Sequence, residues 1–482
     1  MRVHKHSTIT LIGLAGAIYY SGVLIAADFF TDPLAVMPGS SAVSDGDTLS
    51  VDCLSFHDLP DPLYLFDAVE YTLCKNPKAK IAWSNTKAQA ATLGIGRSSY
   101  LPKMDVYTSI NQAHHRSTFS NDDFYNTDVS GTEFNNNVTL SWVIYDFGLR
   151  AANLDSAQLM LESALSGQND VLLTIFFQTA QIYYQAQATK ALLTVAKEAE
   201  SAAEQSLKAA EAKYHVGVGT LADQLQAKTA HAEAVSRRVQ VEGDVQNALG
   251  SLSILMGMPP YTRINIDNIK EENLENRPFR EDVEKLIEQA LREHPKLLGA
   301  RAQLKAVEAH IEAIKAQGYP TLSLKASADY FNTSATPINN QGASEQTLSS
   351  QGIGFQLNIP LFEGFGRTYK VAEAIYQSES KKAELESIEQ EIALLVWKNY
   401  QALCTGMESF KAVKVLNASA KQGYEVSLGR YKSGVGNMLE LLKAQSDLTN
   451  ARQQYLLAIT NLQKNRIALL TSLGVMDLDA IH

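Results

Sequence analysis

The sequence predicts a mostly helical chain with transmembrane β-structure: four strands per chain, joined with those of sister subunits in a trimeric 12-stranded β-barrel that continues into a long coiled-coil tube. Three observations carry this expectation. The sequence is written twice. Each copy switches its hydrophobic period from helical to two and back again. Each return to the helical period runs some 65 residues with no proline.

The composition sets the frame. The 482 residues carry 42 Lys+Arg against 52 Asp+Glu, a formal charge of −10, with 45% hydrophobic and 20% charged residues. This is a foldable mixture, and an acidic chain without a basic run is a poor partner for nucleic acid phosphates. Three cysteines, none in C-x-x-C spacing, give neither a disulfide scaffold nor a zinc or thioredoxin-type motif. Gly (28) and Pro (13) are scarce, which favours long uninterrupted elements.

Residues 1–27 read as a secretory signal peptide: Arg2 and Lys5, then an apolar stretch from Ile9 to Ala27 ending in small residues. Residues 28–62 form an N-terminal extension without clear periodicity. An exported chain reaches an oxidising compartment, where Cys53 and Cys74 are candidates for a disulfide and the alternative is two buried thiols. Cys404 lies in a helical pattern as a small packing residue.

The duplication shows in ordered anchors. Asn76-Pro77-Lys78 answers His294-Pro295-Lys296, Leu101-Pro102 answers Tyr319-Pro320, and Phe147-Gly148 answers Phe365-Gly366, each 218 positions apart. Tyr214-x-x-Gly217-x-Gly219 answers Tyr431-x-x-Gly434-x-Gly436 at 217, a shift that a deletion of FGLR to FGR would explain. The copies span 63–257 and 283–474, joined by a linker at 258–282 and followed by a tail at 475–482.

Within the first copy, Leu63, Phe66, Val69 and Leu73 share a helical face, and Tyr100-Leu101-Pro102 stops the helix. A hairpin over 104–146 follows. Met104, Val106, Thr108 and Ile110 alternate with polar residues, as do Val138, Leu140, Trp142 and Ile144, around a polar loop at 113–132. The second copy repeats this over 321–362: Leu322, Leu324, Ala326 and Ala328 alternate with Ser323, Lys325, Ser327 and Asp329, and Ile353, Phe355, Leu357 and Ile359 with Gly354, Gln356 and Asn358, around a polar loop at 331–350. Strands of ~10–14 residues suit a tilted bilayer crossing, and Tyr107, Tyr145, Tyr330 and Phe362 would form interfacial girdles. Long helices at 148–214 and 367–431 come next. In the second, Leu385, Ile388, Ile392, Leu395, Leu403, Met407 and Phe410 mark a coiled-coil seam. Glycine-bearing turns then reverse the chain into helices 220–256 and 437–473. These are half the length of the rods, so the helix before each hairpin supplies the other half.

Four strands cannot close a barrel, and open edges are not tolerated in lipid, so copies of the chain must combine. A membrane pore welded to a long tube is a conduit. The tandem repeat, the strand exits Ser141-Trp142-Val143-Ile144-Tyr145-Asp146-Phe147-Gly148 and Ile359-Pro360-Leu361-Phe362-Glu363-Gly364-Phe365-Gly366, and the two Tyr-x-x-Gly-x-Gly turns resemble the TolC-like outer-membrane factors over nearly all of 63–474. Cys53, the stretch Leu73-Cys74-Lys75-Asn76-Pro77 and Ala82-Trp83 resemble, within that family, the branch that exports the adenylate cyclase-haemolysin toxin. The resemblance implies a homotrimer in the outer membrane with its tunnel in the periplasm. It also implies a periplasmic adaptor and an inner-membrane ABC transporter as partners, or a proton-driven pump if the cargo is small molecules.

The same resemblance gives the tip its roles. Gly217, Gly219, Gly434 and Gly436 would shape the adaptor-facing turns. Tyr431 and Asp223 would latch neighbouring coiled coils. Glu440 and Lys443 occupy the places of a charged constriction ring, where the family often has two acids, so Lys443 departs from a cation-binding ring. A solvated helix face, a cap and a packing residue are the plainer readings of these positions. No cofactor is expected. His114-His115 has no partner at ligand spacing, and no G-x-S-x-G, H-E-x-x-H or Walker-type loop occurs, so no enzyme is expected. A coiled-coil adhesin or stalk is a further reading, which two mid-repeat hairpins disfavour.

Overall fold

The computed structural model describes residues 34, 59–118, 127–269, 282–337 and 344–476. The expected signal peptide, Cys53 and most of the N-terminal extension lie outside the described residues, as does much of the linker. The first copy runs α1 (Leu65–Lys75), α2 (Pro77–Ser98), β1 (Lys103–Ser117), β2 (Thr127–Tyr145), α3 (Leu149–His215) and α4 (Leu221–Leu255). The second runs α5 (Val283–Glu293), α6 (Pro295–Ala316), β3 (Thr321–Pro337), β4 (Ser344–Asn358), α7 (Gly366–Lys432) and α8 (Met438–Ser472).

The sequence anchors are structural joints. Asn76 and His294 both cap a helix that begins on proline: Asn76 Oδ1 accepts from the Lys78 amide at 2.9 Å, and His294 Nδ1 from the Lys296 amide at 3.2 Å. Proline at the first helical position gives up no hydrogen bond, because that amide has no partner within the helix. Asn76 Nδ2 also donates to the Leu255 carbonyl at 2.9 Å, so the end of α4 is stacked on the start of α2 alongside α3. Gly257 closes this joint at φ +74°, where a Cβ would stand 2.9 Å from the Lys75 carbonyl oxygen. Gly474 does the same against His294 in the second copy.

The helices α3 and α7 each have 67 residues, rods of about 100 Å. Around α3 pack α1, α2 and α4 of its own copy and α6 and α8 of the other, while α7 packs on α5, α6 and α8. One core surrounds Phe176 and Tyr183, whose hydroxyl donates to the Leu63 carbonyl at 2.9 Å. A second gathers Leu297, Ile392, Val396, Leu403 and Phe410. Here the expected seam needs one correction: Val396 is fully buried, whereas Leu395 is 43% exposed on the outer flank of α7. The helical period carries the buried stripe from Ile392 to Val396, and Leu395 is one residue off it.

The strands form one antiparallel sheet in the order β1-β2-β3-β4. They run 15 to 19 residues and extend into stretches expected to be loop: β1 to Ser117, β2 back to Thr127, β3 to Pro337 and β4 back to Ser344. These outer parts are mostly polar by sequence, Phe331 and its partner Leu348 apart, so no alternation announces them. They are held by the backbone ladder and by cross-strand pairs such as Thr132 Oγ1 to Gln112 Oε1 at 3.0 Å and Asn332 Nδ2 to Thr347 Oγ1 at 3.0 Å. A tilted bilayer crossing needs only ~9–11 residues, and each of these strands is longer than that.

Register also relocates the deletion. Lys103 and Thr321 open β1 and β3, 218 apart, whereas Thr127 and Ser344 open β2 and β4, 217 apart. The missing residue therefore belongs to the outer end of the second hairpin and not to the FGLR segment. Parity explains why: an offset of 218 in β4 would set Gln356 where Val138 stands and exchange the two faces of the strand.

Candidate functional site

The residues given roles from the sequence fall in two regions, the sheet and the opposite end of the rods. In the sheet, the pairing Val106↔Val138↔Ala328 and Met104↔Leu140↔Ala326↔Ile353 gathers the apolar residues on one face, continued by Trp142, Leu324 and Phe355. The other face is polar, with rows such as Lys103, Ser141, Lys325 and Gly354, then Asp105, Thr139, Ser327 and Gly352. On this face Asn137 Nδ2 donates to Asp329, which also accepts from Ser350 Oγ at 3.2 Å. Such a sheet can face lipid on one side and water on the other. Tyr107 pairs with Asn137, beside Asp329, and so lies on the polar face, outside the lipid girdle expected for it. Tyr145 reaches the apolar face because the register slips between Val143 and Tyr145, a bulge that turns its side chain over. Across the sheet edge to the helices, Trp142 Nε1 donates to the Tyr100 carbonyl at 2.8 Å.

Strand exit and rod are joined by Arg150. Its Nε donates to Asp146 at 2.8 Å, its Nη1 to the Val143 carbonyl at 2.7 Å and its Nη2 to the Ile144 carbonyl at 3.2 Å, with the guanidinium 4.7 Å from the Tyr100 ring centre. No sequence motif pointed to this residue. In the second copy Arg367 pairs with Glu363 at 2.6 Å and lies over Gly318, the position that Tyr100 holds in the first.

At the far end, the two reversals share one construction. Val218 and Gly219 amides converge on the Lys213 carbonyl at 3.0 and 2.9 Å, and Val435 and Gly436 amides on the Arg430 carbonyl at the same distances. Gly217 and Gly434 sit at φ +79° and +78°, the left-handed conformation that closes a helix C-terminus and that glycine adopts cheaply. Gly219 and Gly436 are needed for a different reason: a Cβ would approach Lys213 Cβ to 2.9 Å and Arg430 Cβ to 3.1 Å.

The predicted tip residues occupy distinct places. Asp223 completes a capping box, accepting from Thr220 Oγ1 at 2.8 Å, while its own amide donates to that hydroxyl. Tyr431 is 6% exposed in a small core with Ala210, Ala227, Met438 and Leu441. Burial, and then the nearby Asp223 charge, push its phenol pKa up. Glu440 donates its amide to the Asn437 cap at 2.7 Å and pairs its carboxylate with Arg430 at 3.1 Å. Lys443 pairs with Asp447 at 2.7 Å. A contact not anticipated from sequence joins the two turns: Lys213 Nζ lies 3.7 Å from the Tyr431 ring centre and donates to the Tyr431 carbonyl at 3.1 Å. Elsewhere, Cys74 is disulfide-bonded and Cys404 is a free thiol. His114 Nδ1 lies 3.0 Å from Ser130 Oγ across the first hairpin. Among the described residues no helix is long and apolar enough to cross a membrane.

Comparison with known proteins agrees with this geometry. The model of the family described as outer membrane efflux protein matches residues 68–258 and 286–475, the two copies in turn. Protein CyaE of Bordetella pertussis is 28% identical over 419 residues, 86% of this chain and 85% of the relative. The outer membrane protein TolC of Escherichia coli is 20% identical, over 88% and 84% of the two chains. The proteases secretion protein PrtF of Dickeya chrysanthemi is 22% identical, over 81% and 83%. Among solved structures, the Campylobacter jejuni CmeC outer membrane channel superposes with a TM-score of 0.72 at 18% identity, over 85% of each chain. A doubled chain with a two-faced β-ribbon fused to rods, matched by one family model in both halves, belongs to the outer membrane efflux protein family: a passive channel of the outer membrane, not an enzyme, with its helical part in the periplasm.

Proposed function

We propose that three copies of the chain close into a 12-stranded barrel and a helical tunnel, and that this duct serves type I protein secretion, taking its cargo from an inner-membrane ABC transporter through a periplasmic adaptor. The observation that carries the ring is the asymmetry of the two long helices. The first-copy rod α3 packs on α6 and α8 of the following copy. Repeating that relation places α7 against α2 and α4 of the next chain. The same step carries the Thr139↔Ser327 and Leu140↔Ala326 pairs of β2 and β3 to Gln356↔Ser109 and Leu357↔Thr108 between chains. These pairs keep both faces in parity, apolar to apolar and polar to polar. Three chains rather than two follow from the lumen, since an eight-stranded barrel is filled by its own side chains.

Protein cargo is supported by the match to a relative named for the secretion of proteases and by the Cys74-bearing stretch of α1 that resembles toxin exporters. Small-molecule efflux is the alternative, favoured by the family's own description. In this reading the turns with Gly217, Gly219, Gly434 and Gly436 meet the adaptor, and Tyr431 with Asp223 holds the tip shut. Glu440 and Lys443 line the constriction as compensated charges, because each already has a partner in its own chain. Cys53 is the proposed partner of Cys74. Purified oligomer added to a planar lipid bilayer should give discrete single-channel currents; a flat trace from folded oligomer would refute the duct.

A further inference from the structure

The two turns at the tip carry the same cation, acid and tyrosine in two different arrangements. Lys213 and Arg430 are equivalent by repeat, as are Tyr214 and Tyr431, and Asp223 and Glu440. In the first copy the cation has left its own turn: Lys213 lies over Tyr431 at 3.7 Å, and Asp223 is held by its Thr220 cap at 2.8 Å. In the second copy the cation stays at home, with Arg430 paired to Glu440 at 3.1 Å. The acids account for the difference. Asp223 is short and closes its capping box, which leaves Lys213 unclaimed. Asn437 caps α8 with its own side chain, and Glu440, one methylene longer, reaches across the turn to Arg430.

We infer that Arg430 is a two-position switch between Glu440 of its own turn and Tyr214 of the neighbouring copy, and that the second position locks the tip between chains. This rests on the ring of copies proposed above. The step that carries Lys213 to Arg430 carries Tyr431 to Tyr214 of the next chain. Tyr214 is 40% exposed, whereas its repeat counterpart Tyr431 is 6% exposed beneath Lys213. Both members of the Arg430–Glu440 pair are also half-exposed, at 49% and 39%, so that ion pair is weakly held. A guanidinium over a tyrosine face is a contact of comparable strength. The tip would then hold alternating seams: Lys213 on Tyr431 within each chain, permanently made, and Arg430 on Tyr214 between chains, made only when Glu440 yields. Opening is a transfer of three arginines from aromatic ring to carboxylate, while Lys213 stays on Tyr431 within each chain.

The test is resting conductance of the intact oligomer in planar bilayers, with trimer yield measured beside it. Arg430→Met should raise the open fraction roughly tenfold, since three contacts are lost at once. Glu440→Gln should lower it, because the arginine then has one partner. Tyr214→Leu should act like Arg430→Met, and the double variant should be no more open than either single one. An Arg430→Met channel as closed as the parent, a Glu440→Gln channel that opens, or additive effects of Arg430 and Tyr214 would overturn the switch while leaving the duct intact. Absence of any trimer from the unaltered chain would overturn both. Arg430→Cys with Tyr214→Cys in a Cys404→Ser background gives a readout that does not depend on current: inter-chain cross-links are expected at the tip, and their absence in folded trimer contradicts the contact.

Discussion

Helices α3 and α7 have equal length and equal rank in their repeats, yet they are buried very differently. Sixteen residues of α3 are buried, against six of α7. The outer flank of α7 instead exposes Leu394, Trp397, Val415 and Val426. Chemistry alone does not separate the two rods, since both are Ala-, Gln- and Leu-containing helices. Position separates them: α3 packs on helices of both copies, while α7 packs on α5, α6 and α8 of its own copy. The comparison teaches that one chain holds one complete rod environment and half of another. It also shows where the second half must come from, because a tandem repeat supplies its own template for the missing contact.

The largest expected effect tests the complete environment. Tyr183→Ala removes a fully buried ring and its bond to Leu63, and should cost ~3–5 kcal/mol of stability in urea titration of detergent-solubilised protein. The repeat counterpart, Tyr400→Ala, should cost about 1 kcal/mol or less in the same titration, because that ring is only partly buried against its core. Equal losses would mean that the two rods do not differ as described.

Next in size is a charge on the apolar face of the strand that continues the α7 flank. Phe355→Arg should abolish membrane-inserted trimer at ~2–4 kcal/mol per mid-bilayer charge, measured by trimer yield in outer-membrane extracts. Normal yield would remove that face from lipid.

A smaller effect sharpens the quasi-equivalence itself. Arg452 pairs with Glu198 at 2.7 Å between α8 and α3. Their repeat counterparts are Val235 and Val415. Val415→Glu or Val235→Arg alone should lower the dissociation temperature of the trimer, and the two together should restore it, a coupling of about 1 kcal/mol. Independent losses would contradict the seam. The smallest change is one of mobility only: a Cys404→Ser chain should run faster on a non-reducing gel than on a reducing one, because the proposed Cys53–Cys74 bond closes a loop, and identical mobility would refute that pairing.

Much of this was legible in the sequence because it rests on periodicity and on residues with one dominant conformational use. Asn76-Pro77 and His294-Pro295 marked equivalent places in the two copies, though not that each begins a new helix, and Gly217 and Gly434 had to be turns. The alternation from Val138 to Ile144 had to be a strand with two unlike faces. What escaped was of three kinds. The outer ends of the strands are mostly polar in sequence, with Phe331 and Leu348 too isolated to set a period. The position of the deletion needed strand parity rather than residue matching, since the Phe-Gly pair after each hairpin is a misleading landmark: the left-handed residues are Phe147 and Gly148 in one copy and Gly364 and Phe365 in the other. The contacts of Lys213 and Arg150 depend on partners distant in sequence or on backbone carbonyls, which leave no mark on residue identity.

The most direct test of the ring is the inter-chain strand register. Ser109→Cys and Gln356→Cys, on the polar face of β1 and β4 in a Cys404→Ser background, should oxidise to a ladder of dimer and trimer that stops at three chains, with no change when the chain carries either cysteine alone. A single-chain band under oxidising conditions, from protein extracted folded from the membrane, would contradict the account.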